Sequence, residues 1–135
     1  MSNLIDQLKR HEGLMLKPYK CTAGALTIGH GLNLDAGIDE ELAEIILVHQ
    51  VHKLTYSLWA NDWFADLNPA RQDVIVNMAF NLGLTGVMKF KKMIDALKGG
   101  FFELAAKEML NSKWAKQVGN RAVELSNQMK SGQYE

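Results

Sequence analysis

From Leu16 to Gly31 the chain abandons the three-to-four-residue spacing of helices, and that single interruption limits the folds open to it. "PYKC", a turn at "TAG" and "ALTIG" carry a β-hairpin signal, with Leu26 and Ile28 on one face and Thr27 on the other. Ahead of the hairpin, "SNLIDQLKRHEG" reads as a short helix. Ser2 or Asn3 is its cap, Leu4, Ile5 and Leu8 are its apolar stripe, and Gly13 is its stop. Behind the hairpin the patterning is helical. Asp39 caps a long helix running to about Trp59, with Glu40 and Glu41 in the first turn, where the helix dipole favours anions. That helix contains "IILV" and is apolar on more than one side, which predicts protein on two of its faces, as for a connector between lobes.

Asn68 and Pro69 give the cap and first turn of the next helix, which ends near Gly83. "KFKKMIDALKGG", "FFELAAKEML" and "NRAVELSNQMKSG" supply three further helical segments between glycine or polar breaks. The expected fold class is α+β within one domain. Residues 1–38 form a helix-plus-hairpin lobe, 39–59 a connecting helix and 60–135 a mainly helical lobe.

Composition narrows the function classes. A chain of 135 residues, 47% of them hydrophobic, can bury a core without staples. The formal net charge is zero, which argues against a dedicated nucleic-acid binder. Residues 1–60 carry five basic and seven acidic side chains and residues 61–135 carry ten and eight, so the second half suits only weak attraction to a polyanion. One cysteine makes neither an internal disulfide nor a zinc site, so Cys21 serves either packing or chemistry. No ligand cluster implies a metal or a cofactor. "MSNLIDQLKRHEG" lacks the apolar segment of a secretory signal, and no run of about 18 apolar residues is present to span a bilayer. The expectation is a protein kept in a cytoplasm, without stable membrane insertion.

Three residues draw attention together. Glu12 closes the first helix near the negative end of the dipole, a place that disfavours ionisation and suits a general acid, although a glutamate at a helix end is more often solvated surface. Cys21 ends the first strand, where a free cysteine is most often a small buried hydrophobe. Thr27 fits a strand by propensity alone. Gly24, Gly29 and Gly31 most often mark turns, and they also let backbone approach a ligand closely. The spacing is what unites these weak signals: nine residues from Glu12 to Cys21, then six to Thr27.

"HEGLMLKPYKCTAGALTIGHGLNL" resembles the active-site segment of the phage-type lysozymes, a glycoside hydrolase family in which a helix-end Glu precedes a hairpin bearing an Asp and then a Thr at these separations. "AFNLGLTGVMKF" resembles the family's helix–turn segment, and "SKWAKQVGNRA", with Trp114 and Arg121, its C-terminal signature. The resemblance implies a lysozyme-like fold and an endolysin or muramidase that hydrolyses the β-1,4 bond between amino sugars of peptidoglycan glycan strands. It implies Glu12 as general acid, Thr27 as a positioner of water, Arg121 as an ion-pair partner near Glu12, and Gly31, Asn33 and Phe80 as substrate contacts. An aromatic such as Phe80 on a helix is more often plain core. The sequence departs from the family where Cys21 replaces the catalytic Asp; His30 also matches no family histidine and reads as a local polar contact. The resemblance further implies a monomer held in the host cytoplasm until lysis, reaching the wall through a separate holin-like membrane lesion.

Other readings compete. The missing Asp favours a lytic transglycosylase on the same scaffold, using Glu12 as acid and base, or a peptidoglycan-binding module with impaired catalysis. "KFKKMIDALKGGFF" is amphipathic, with Lys89, Lys91 and Lys92 near one side, and invites contact with anionic lipid; an ordinary solvated helix face is the commoner outcome.

Overall fold

A computed structural model describes residues 2–134, which fall into two compact units divided between Ile46 and Leu47. The first unit opens with α1 (Ser2–Glu12), followed by β1 (Met15–Lys20), β2 (Leu26–Gly29) and β3 (Leu32–Asn33). Ser2 and Asn3 already lie inside α1, so neither is its cap; the preceding position, Met1, falls outside the described residues. At the other end Gly13 adopts a positive φ of 73° and donates its N–H to Lys9 O at 2.9 Å, the left-handed turn that stops a helix at glycine.

The strands form one antiparallel sheet in the order β1-β2-β3. Tyr19 pairs with Thr27 and Lys20 with Leu26, while the register slips between Met15 and Tyr19, where Pro18 has no N–H to give the ladder. The sheet faces differ from the simplest reading of the alternation. Thr27 is the buried residue of this unit at 4% exposed, whereas Leu26 is 37% exposed and Ile28 half-buried. A 3-10 turn at Leu34–Ala36 follows, capped by Asn33 Oδ1, which accepts from Asp35 N at 3.0 Å. Asp35 Oδ2 in turn accepts from Leu26 N at 3.0 Å, tying the turn to the start of β2.

The long helix α2 (Glu40–Leu58) starts where its cap requires, with Asp39 Oδ1 accepting from Leu42 N at 2.8 Å. The boundary between the units falls inside it. Within the second unit Leu58 is buried, and Val51 and Leu54 pack half-buried against the core.

The second unit is helical: α3 (Asp62–Ala65), α4 (Pro69–Met88), α5 (Lys91–Lys98), α6 (Phe102–Leu110), α7 (Lys113–Val118) and α8 (Asn120–Ser131). Asn68 Oδ1 caps α4 by accepting from Arg71 N, and Pro69 occupies the first turn. Gly83, at φ 80° and ψ 162°, breaks α4 where the sequence places its end, before a last short helical stretch. The core gathers Leu58, Phe64, Val74, Ile75, Met78, Met93, Met109, Leu125 and Met129, all nearly or fully buried. Each such side chain contributes about 2 kcal/mol of apolar transfer, and the four thioethers fill irregular gaps between helices.

Candidate active site

Glu12 is the last residue of α1 and is exposed. Its carboxyl folds onto the β2–β3 turn. A Cβ placed on Gly31 would stand 2.6 Å from Glu12 Oε2 and 2.9 Å from its Cδ, so only a residue without a side chain leaves the carboxyl where it is. Gly31 also sits at φ 85°, a conformation other residues rarely take. The neighbouring His30 joins the same two segments: its Nδ1 lies 2.6 Å from Gly13 O. A carbonyl oxygen only accepts, so Nδ1 carries the proton in this contact. His30 thus makes the local polar contact that its place in the hairpin suggests.

Cys21 follows β1 and opens the hairpin turn, with Gly24 N donating to Cys21 O at 2.8 Å and Cys21 N to Ala25 O at 2.9 Å. Its half-buried thiol is held below the ordinary cysteine range, first by the Ala25 N–H, then by the Ala23 N–H and the Thr27 hydroxyl, while partial burial opposes the shift. Thr27 has a single hydroxyl proton, which it donates to Ala25 O at 2.9 Å. Turning that proton to sulfur means leaving Ala25 O, so its help to a thiolate competes with an existing bond. Asn33 pairs with Thr27 across β2 and β3, and its Oδ1 is engaged in the 3-10 cap. The first unit therefore brings Glu12 to Gly31 and Cys21 to Thr27.

Phe80 and Arg121 belong to the second unit. Phe80 is 43% exposed on α4, not core. Arg121 is half-buried and donates from Nε and Nη2 to Asn77 Oδ1 at 3.0 and 2.7 Å. One turn along, Asn81 Oδ1 accepts from Trp114 Nε1 at 2.8 Å. Asn77 and Asn81, four residues apart on one face of α4, thereby anchor α8 and α7 to it. Sequence reading missed both asparagines and Asp35; the "N" at each end of "NMAFN" was the available signal.

The sequence profile of the phage lysozyme family matches residues 9–131. The chain belongs to that family. An endolysin of Acyrthosiphon pisum secondary endosymbiont phage 1 is 32% identical, over 95% of this chain and 88% of its own length. A probable T4-type lysozyme of Dictyostelium discoideum is 29% identical, over 98% of this chain and 96% of its own. The helices and three-stranded antiparallel sheet fit the α+β lysozyme architecture. As a member of this family the protein is a peptidoglycan-lytic enzyme. Among the described residues no three His, Cys, Asp or Glu side chains group as metal ligands, and no helix is long and apolar enough to cross a membrane.

Proposed function

We propose that the protein is a muramidase that hydrolyses the β-1,4 bond from N-acetylmuramic acid to N-acetylglucosamine. Glu12 is the general acid. Its proton passes to the glycosidic oxygen as the bond to the anomeric carbon breaks through an oxocarbenium-like state. Water attacks from the opposite face, held by the Thr27 hydroxyl and Cys21, and the sulfur, as thiolate, takes the proton that water loses. An inverting reaction of this kind needs about 6.5–9.5 Å between acid and base to admit the water.

The supporting observation is the setting of Cys21, whose thiol the hairpin amides hold toward the ionised form. A thiolate restores the charge and the basicity of the family's carboxylate, which a neutral thiol lacks. Gly31 and Asn33 lie on the same turn and strand as sugar contacts. The deciding experiment is mass analysis of products from purified walls treated with wild type and Glu12→Gln. Reducing ends from the wild type and none from the variant are expected. Anhydro-muramic ends would instead make the enzyme a transglycosylase, wall binding without products would make it a binding module, and full turnover by Glu12→Gln would remove Glu12 as the acid.

A further inference from the structure

We infer that His30 is a positioning residue for Glu12, holding through Gly13 the backbone from which the acid is delivered; this rests on the reading of Glu12 as general acid. The last carbonyls of a helix have no partner within it, and helix ends fray when nothing external binds them. In α1 the Gly13 N–H closes back on Lys9 O, and the Gly13 carbonyl receives the Nδ1–H of His30 at 2.6 Å. The donor comes from a residue 17 positions away, on the β2–β3 turn. Met15 pairs with Gly29 in the sheet close by, and the His30 contact carries that link on to the residue that follows Glu12.

The next residue of the turn acts on the side chain. Gly31 leaves open the volume that the Glu12 carboxyl fills, with Oε2 2.6 Å from where a Cβ would be. Two consecutive residues thus set the acid from two sides. His30 fixes the main chain just after Glu12, and Gly31 bounds the carboxyl. His30 acts through Gly13, because the Nδ1 proton that makes the contact is given to a backbone carbonyl and not to a reacting group. Catalysis gains position from this contact rather than charge.

The test pairs two variants on a soluble peptidoglycan fragment. His30→Phe keeps a planar ring and loses the donor, whereas His30→Asn places an amide N–H where Nδ1–H stood. His30→Phe is expected to lose about tenfold or more in kcat with KM little changed, in keeping with the sensitivity of catalysis to small misplacements. His30→Asn should recover most of that loss, with a pH–rate profile that overlays the wild type. Equal loss in both variants, an unaffected Phe variant, or a displaced profile in the Asn variant would overturn the inference. Should His30→Phe fail to fold, nitrogen NMR of wild type decides: the neutral ring must carry its proton on Nδ1, and an Nε2–H tautomer would overturn the assignment. An active Glu12→Gln would sink the acid assignment while leaving the tautomer result readable by itself.

Discussion

Arg121 gives both Nε and Nη2 to the one side-chain oxygen of Asn77, at 3.0 and 2.7 Å, and Nη2 also reaches Asn77 O at 3.3 Å. The guanidinium thus bolts α8 to α4, whatever else it does in the enzyme. Asn77→Leu removes the acceptor and leaves a half-buried cation short of partners. We expect it to lower unfolding free energy by about 1–3 kcal/mol, the range for losing hydrogen bonds to a charged group. Urea unfolding measures this, and a double-mutant cycle with Arg121→Met should show strong coupling. Additive losses would mean that the two residues stabilise the unit independently.

Gly31→Ala tests the close approach of the turn to Glu12. Two effects act together: alanine at φ 85° is strained, and its methyl would meet the carboxyl at 2.6 Å. The strain is worth about 1 kcal/mol. The displaced carboxyl is expected to cost far more in kcat than that strain costs in stability. Thermal unfolding beside wall-lysis rates separates the two effects; an alanine variant with wild-type kcat would show that the acid does not depend on this contact.

The residues that the sequence discloses are those whose chemistry is local. Asp39 binds Leu42 N and Asn68 binds Arg71 N, each three residues on, so a cap can be read from the string alone. Gly13 and Gly83 break helices by their own conformational freedom. The hairpin is equally legible, because strand and turn preferences act over a few residues. Partnerships across the fold are not. Asn77 meets Arg121 44 residues away, and nothing in the neighbourhood of either announces the other. The alternation at Leu26, Thr27 and Ile28 shows two faces but not which one is closed, and the structure closes the polar one. Gly31 is legible as a place of close approach, yet its near neighbour is Glu12 of the same chain.

The lowered thiol pKa of Cys21 predicts a measurable reactivity. An ordinary cysteine titrates near 8.5, and here the Ala25 and Ala23 amides and the Thr27 hydroxyl favour the anion. The rate of iodoacetamide alkylation should therefore rise at lower pH than it does for the unfolded protein. Thr27→Val should move that rise back upward, and alkylation should slow wall lysis by occupying the place of the water. The linkage sign follows: a pKa depressed by folding adds stability that is complete above the unfolded value and disappears as pH falls through the folded one. Cys21→Asp, which restores a permanent base, is expected to retain wall lysis. Lysis unaffected by full alkylation would remove Cys21 from the reaction.

Arg71 offers a test of how the second unit closes its last helix. Its guanidinium lies 3.6 Å from the centre of the Phe102 ring and donates to Met129 O at 2.7 Å and Lys130 O at 3.0 Å. Those carbonyls belong to the final turn of α8, where no helical N–H reaches them. Burial lowers the Arg71 pKa, but a guanidinium starts so high that the charge persists at any working pH. Arg71→Met keeps much of the stem and loses the fork and the ring contact, so we expect a loss of about 2 kcal/mol. Arg71→Lys should recover little, because a single ammonium cannot bind two carbonyls in the plane of the stacked fork. Hydrogen exchange locates the effect: faster exchange confined to the C-terminal turn of α8 is expected in both variants. Uniform acceleration across α4 and α8 would show instead that Arg71 supports the whole helix pair.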